Sequence, residues 1–195
     1  MKINIPNLLT IFRILLTPLF IICLFSNYPY AQLWALIIFI VASVTDAFDG
    51  YYARKYNQVT RQGKFLDPLA DKILVSSAFI SFAILKLVPF WMVSLIIFRD
   101  LFVTGLRMTL ESQGLTMITS KIAKAKTTTQ ISVIIFILLF LVVQIFSYDW
   151  IRDVIQFIIQ QRIIYYVTLF ATILTLWTGI SYLYKNRLII KNYVS

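Results

Sequence analysis

Residues 33–53 read LWALIIFIVASVTDAFDGYYA, and residues 66–86 read LDPLADKILVSSAFISFAILK. Each stretch matches a helix that crosses a bilayer, which needs about 20 predominantly apolar residues. Each also carries two aspartates at the end that faces the other stretch. Ionisable groups in membrane segments are rare, and they usually serve function or pair with one another. These stretches therefore predict two membrane helices with an acidic site at one end.

The composition of the whole chain agrees with a membrane protein. Of its 195 residues, 60% are hydrophobic, and the mean hydropathy is +0.84. These values lie far above those of a soluble domain. No repeat, low-complexity stretch or long linker interrupts the chain, so we expect a single transmembrane domain over residues 1–195.

Hydropathy predicts an all-α, polytopic protein with six transmembrane helices. The expected spans are 8–26, 33–53, 66–86, 90–110, 127–147 and 163–184. Residues 149–162 alternate polar and apolar side chains with helical period, which is typical of a helix lying along the outer membrane interface.

Basic residues predict the orientation of these spans. With the N-terminus in the cytoplasm, only Lys86, Arg152 and Arg162 of the 18 basic residues fall on the outer side. Cytoplasmic loops of membrane proteins gather Lys and Arg, so both termini and the acidic site are expected to be cytoplasmic. Basic residues distributed along membrane boundaries argue against nucleic-acid binding.

The residue types that are missing restrict the chemistry. The chain has no histidine and a single cysteine, Cys23, which excludes histidine bases, catalytic triads and cysteine-based zinc sites. Oxygen ligands alone favour hard cations such as Mg²⁺ or Mn²⁺.

The four aspartates are spaced for a shared site. Asp46 and Asp49 are three residues apart and Asp67 and Asp71 are four apart, so each pair lies on one face of a helix. Because clustered carboxylates repel one another, the pattern predicts that a divalent cation lies between them. Two cations would compensate the four negative charges better than one. Such ions suit phosphoryl transfer. Two alternatives are a solvated turn with local salt bridges and a divalent-cation transporter.

A longer string surrounds these acids, Asp46-x2-Asp49-Gly50-x2-Ala53-Arg54-x8-Gly63-x3-Asp67-x3-Asp71. It resembles the signature of the CDP-alcohol phosphatidyltransferases, membrane enzymes that transfer a phosphatidyl or related group from a CDP-linked donor to an alcohol. The resemblance implies that the four aspartates hold two divalent ions and that Asp71 is also the catalytic base. It further implies CDP binding by Gly50, Ala53, Arg54 and Gly63.

The acceptor alcohol must be inferred from elsewhere in the chain. A basic group follows the acidic motif, and it comprises Arg99, Arg107, Lys121, Lys124 and Lys126. Arginine and lysine beside a metal site suit an acceptor that itself carries a phosphate. The alternatives are that the lysines are ordinary positive-inside anchors and that Arg99 pairs with Asp100 or a lipid phosphate.

The flanking sequence resembles the bacterial phosphatidylglycerophosphate synthases within this family. The similarity lies in Asn4 to Thr10, followed by Arg13 and Pro18, and in the segments 99–107 and 120–130. It implies that CDP-diacylglycerol and sn-glycerol 3-phosphate are the substrates and that they react by in-line displacement on two metals. It further implies that the protein lies in the bacterial cytoplasmic membrane. It also implies contact with membrane lipids and a possible homodimer. Inositol phosphate, or phosphatidylglycerol in cardiolipin synthesis, remains an alternative acceptor.

Overall fold

A computed structural model describes residues 5–55, 63–114, 122–146 and 148–194 of the chain. Within these ranges the backbone forms α-helices and no strand. The helices, numbered in chain order, are α1 (Ile5–Phe25), α2 (Ala31–Lys55), α3 (Gly63–Ile84), α4 (Phe90–Ser112), α5 (Ile122–Val143), α6 (Asp149–Gln160), α7 (Ile163–Lys185) and α8 (Arg187–Val194).

The all-α class predicted from hydropathy is confirmed, and each predicted span overlaps one long helix. The largest difference is at the fifth span, predicted as 127–147, where the helix runs from Ile122 to Val143. Hydropathy missed the polar start of this helix, residues 122–126, which contains Lys124 and Lys126. It also missed α8, because RLIIKNYV is short and mixed in polarity.

The turn between α3 and α4 shows how the chain reverses within few residues. Lys86 adopts a left-handed conformation with φ 60°. Its N–H donates to the Ala83 carbonyl at 3.0 Å, and the Leu87 N–H donates to the Phe82 carbonyl at 3.0 Å. These two bonds form the Schellman arrangement that closes a helix. Pro89 then stands at the N-cap of α4 in an extended conformation.

Helix α5 lies centrally in the packing of the bundle. It contacts α2, α3 and α7, while α1 packs against α2 and α3, and α4 packs against α3 and α7. Helices α2 and α3 thus share α1 and α5 as neighbours. Each of these two neighbours therefore contacts both of the aspartate-bearing helices.

Large apolar residues fill the interior of the bundle. The fully buried ones include Phe20, Phe39, Phe79, Met92 and Ile137. Phe20 and Phe39 join α1 to α2, with ring centroids 5.8 Å apart. Because lipid tails are as apolar as leucine, such contacts stabilise a membrane bundle chiefly through close packing.

The outer surface of the bundle is also apolar. Large side chains such as Ile22, Phe98, Trp177 and Ile180 are each more than 60% exposed. Soluble monomers rarely expose apolar surface this extensively. Two helical stretches in the described part of the chain, Ala125–Val143 and Ile163–Lys185, are long and apolar enough to cross a membrane. These features indicate a membrane protein.

Helix α6 has the amphipathic character predicted for residues 149–162. Ile151 is buried, whereas Trp150, Phe157 and Ile159 are exposed. The helix packs against α7, and Arg162 in a left-handed conformation links the two. The helix itself is thus confirmed, and its position at the outer interface stays a prediction.

Candidate active site

The aspartate motif occupies the end of α2 and the beginning of α3. Asp46 and Asp49 belong to the last three turns of α2, which ends at Lys55, and Asp67 and Asp71 belong to the first three turns of α3. Both pairs therefore lie on continuous helix, as their spacing predicted. The side chains of the motif lie outside the described set; these are Asp46, Asp49, Gly50, Ala53, Arg54, Gly63, Asp67 and Asp71.

Among the residues whose side chains are described, no group of three acidic, histidine or cysteine residues could hold a metal ion. The four aspartates are not in that set, so their proposed role as ligands stays a prediction. Their donor chemistry suits a hard divalent cation, because carboxylate oxygens are the ligands that Mg²⁺ and Mn²⁺ prefer.

A buried polar cluster lies where α4, α5 and α7 meet, and we call it the Asp100 cluster. It consists of Arg99, Asp100, Lys126, Gln130, Thr175 and Thr178. The side chains of Asp100 and Lys126 are only 3% and 4% exposed. Buried charges of this kind persist when they are paired and hydrogen-bonded.

Asp100 is the centre of this cluster. Its Oδ1 accepts a hydrogen bond from Lys126 Nζ at 2.5 Å and another from Arg99 Nη1 at 3.0 Å. Its Oδ2 accepts from Gln130 Nε2 at 3.2 Å. Both carboxylate oxygens are therefore occupied, and one anion holds two cations side by side.

Helix α7 completes the cluster with small and hydroxyl-bearing residues. Thr178 Oγ1 accepts from Arg99 Nη2 at 3.1 Å, and Thr175 Oγ1 accepts from Gln130 Nε2 at 3.2 Å. A Cβ atom at Gly179 would lie 2.8 Å from Arg99 Nε and 2.9 Å from Arg99 Cγ. Glycine at this position is what allows the Arg99 side chain to lie against the backbone of α7.

Lys72 connects this cluster with the aspartate motif. It follows Asp71 directly on α3, and it interacts electrostatically with both Asp100 and Lys126. The Asp100 cluster therefore lies beside the helix that carries the second aspartate pair.

The structure brings together only some of the basic residues that the sequence singled out. Arg99 and Lys126 meet at Asp100, so the pairing of Arg99 with Asp100, considered above as an alternative, does occur. Arg107 lies two turns further along α4, where it is exposed and pairs with Glu111 at 2.7 Å. Lys121 lies outside the described residues, and so does the side chain of Lys124.

Sequence reasoning missed the contribution of α7. The available signal was a run of small and hydroxyl residues at helical spacing within an apolar segment, comprising Thr168, Ala171, Thr172, Thr175, Thr178 and Gly179. In the structure, Thr168 and Thr172 donate to carbonyls one turn earlier on their own helix. Thr175 and Thr178 accept hydrogen bonds from the Asp100 cluster, and Thr178 also donates to the Thr175 carbonyl at 2.9 Å.

Comparison with known proteins assigns the chain to a family. Residues 3–177 match the family described as CDP-alcohol phosphatidyltransferase. The chain belongs to the CDP-alcohol phosphatidyltransferase family. This membership agrees with the resemblance stated from the aspartate string.

Curated bacterial relatives within this phosphatidyltransferase family are similar along most of the chain. A CDP-diacylglycerol–glycerol-3-phosphate 3-phosphatidyltransferase from Bacillus subtilis is 46% identical over 140 residues, covering 66% of this chain and 72% of the relative. Proteins of the same name from Escherichia coli and Salmonella typhimurium are 35% and 34% identical over 193 residues. Each of these alignments covers 96% of this chain and 97% of the relative.

Proposed function

We propose that this protein transfers the phosphatidyl group of CDP-diacylglycerol to sn-glycerol 3-phosphate, giving phosphatidylglycerophosphate and CMP. The observation that carries the proposal is the similarity, over 96% of the chain, to enzymes named for this reaction. The family motif alone would leave the acceptor open, because it concerns the CDP-linked donor.

The aspartate motif would bind the donor. Asp46, Asp49, Asp67 and Asp71 would hold two divalent cations, Mg²⁺ or Mn²⁺, which neutralise diphosphate oxygens and stabilise the departing CMP. Arg54 would lie near the diphosphate, and Gly50, Ala53 and Gly63 would leave room for the CDP group. The acyl chains of the donor would stay in the lipid.

Asp71 would act as the general base. It accepts the proton of the terminal hydroxyl of glycerol 3-phosphate as that oxygen attacks the phosphorus bearing diacylglycerol. One P–O bond forms while the P–O bond to CMP breaks, so the electron pair leaves with CMP. A single displacement inverts configuration at phosphorus. Retention of configuration would contradict this mechanism.

Basic residues would bind the phosphate of the acceptor. Arg99 and Lys126 are held together by one carboxylate, next to the helix of Asp71, which favours a phosphate-bearing acceptor over inositol or serine. The exposed Arg107 would assist from the end of α4, together with Lys121 and Lys124. Arginine and lysine donate charge-assisted hydrogen bonds of the strength that phosphate recognition requires.

We further propose that the chain is one domain of six membrane-spanning helices in the bacterial cytoplasmic membrane. Both termini and the site would face the cytoplasm, as the distribution of basic residues predicts. Helix α6 would rest on the outer interface with Trp150 and Phe157 in the lipid headgroup region. A homodimer is compatible with this arrangement, and crosslinking in native membranes would test it.

An acceptor panel tests the proposed reaction. Purified protein in detergent is given CDP-diacylglycerol, Mn²⁺ or Mg²⁺, and one acceptor at a time, and CMP release is measured. We expect release with glycerol 3-phosphate and loss of release when EDTA removes the metal. CMP release that requires inositol phosphate or phosphatidylglycerol would show that this compound, and not glycerol 3-phosphate, is the acceptor. Metal flux in liposomes without any CMP release would favour a transporter.

A further inference from the structure

We propose that Asp100 is the positioning residue of the acceptor-phosphate site: an internal anion that holds Arg99 and Lys126 side by side and leaves one positive charge for the incoming phosphate. The inference rests on the proposed function, because it takes Arg99 and Lys126 as the residues that meet the acceptor.

The Asp100 cluster carries more positive than negative charge. Asp100 is the one carboxylate in the cluster, whereas Arg99 and Lys126 are two cations. A buried excess of positive charge is costly unless an anion compensates it. Among the described side chains, the other acid on α4 is Glu111, which is exposed and paired with Arg107. The cluster is therefore suited to a further anion.

Asp100 also sets the geometry of the two cations. Arg99 and Lys126 contact the same oxygen of Asp100, so the carboxylate sets the position of one relative to the other. Without it, two cations this close would repel each other and their side chains would move apart. Gln130 Nε2 fixes the other oxygen, which prevents the carboxylate from rotating.

Helix α7 also holds the Arg99 side chain in place. Arg99 Nη2 is held by Thr178, and Arg99 Nε and Cγ lie against Gly179. Arg99 Nε has no hydrogen-bond partner in the described part of the chain, although it is buried. Helix α7 and Asp100 together therefore fix the plane of the guanidinium.

The decisive experiment separates the two substrates kinetically. CMP release by the purified full-length protein is measured while glycerol 3-phosphate and CDP-diacylglycerol are varied in turn, for the wild type, Asp100→Asn and Asp100→Glu. We expect Asp100→Asn to raise KM for glycerol 3-phosphate about 10-fold or more, as losing charge-assisted hydrogen bonds implies. KM for CDP-diacylglycerol should stay within about 2-fold, since this cluster is not proposed to touch the donor. Asp100→Glu should restore most of the loss, because it keeps the anion.

A second pair of variants tests the inference without depending on the folding of Asp100→Asn. Gly179→Ala places a methyl group against Arg99, and we expect it to raise KM for glycerol 3-phosphate about 5-fold. Gly105→Ala is the matched control, because a Cβ there meets nothing within 4 Å, and its KM should match the wild type.

Three results would overturn the inference: an unchanged or lowered KM for glycerol 3-phosphate in Asp100→Asn, equal changes in both KM values, or no rescue by glutamate. If Asp100→Asn cannot be purified, equal KM values for glycerol 3-phosphate in Gly179→Ala and Gly105→Ala would overturn the inference. Failure of the proposed function is distinct, since the wild type itself would then release no CMP in response to glycerol 3-phosphate.

Discussion

The aspartate motif and the Asp100 cluster both gather charge beside apolar helices, but they are encoded differently. The motif comes from two helix ends that are close in sequence, at 46–49 and 67–71. The cluster joins α4, α5 and α7, and its bond from Arg99 to Thr178 spans 79 residues. The motif carries many acids, whereas the cluster has two cations on one carboxylate. We interpret the first region as the place of chemistry and the second as the place where the acceptor is selected.

Replacing the proposed base should have the largest effect and is the strongest test of this division. Asp71→Asn is expected to lower kcat by about 10²- to 10⁴-fold, the usual contribution of a general base. CMP release at saturating concentrations of both substrates measures this. Asp149→Asn is the control, because Asp149 is exposed on α6 and pairs only loosely with Arg152 at 3.6 Å. Near-normal kcat in Asp71→Asn would remove Asp71 as the base.

Replacing a cation of the Asp100 cluster should weaken binding of the acceptor more than it slows the chemical step. Lys126→Met keeps the apolar stem and removes the charge, so we expect KM for glycerol 3-phosphate to rise about 10- to 100-fold with a smaller change in kcat. Lys185→Met, at the exposed end of α7, is the control and should resemble the wild type. A fall in kcat with both KM values unchanged would assign the cluster to the chemical step.

The close approach of α7 to its neighbours is the structural basis of the cluster, and enlarging Ala171 tests it. This residue is fully buried and lies one turn before Thr175. Ala171→Leu should destabilise the protein by about 1–3 kcal/mol through overpacking, measured by thermal unfolding in detergent. Ile173→Phe adds volume on the exposed side of the same helix and should change stability little. Equal melting temperatures for both variants would mean that α7 is not tightly packed.

The exposed ion pair on α4 should matter least for stability. Arg107 and Glu111 contact each other at 2.7 Å but are 47% and 43% exposed, and exposed pairs typically contribute about 0–1 kcal/mol. Glu111→Gln should therefore leave the melting temperature nearly unchanged and should leave KM for glycerol 3-phosphate near or below the wild-type value. A large loss of stability would show that this pair contributes more than an exposed ion pair normally does.

Local patterns accounted for much of the fold. Apolar runs of bilayer length predicted six long helices, since hydropathy and helical period are properties of contiguous sequence. The bounds were less accurate: polar Lys124 and Lys126 hid the start of α5, and mixed polarity hid α8.

By itself, the sequence determined the helical class, the aspartate motif and the family, because each depends on residue types at short, fixed spacing. It also singled out Arg99 and Lys126 by charge. Only the tertiary structure decided that these two share Asp100, that Arg107 lies apart from them, and that Thr175, Thr178 and Gly179 belong with them. The reason is physical: a buried cation needs partners within about 3 Å, and which helix supplies them depends on how the bundle packs.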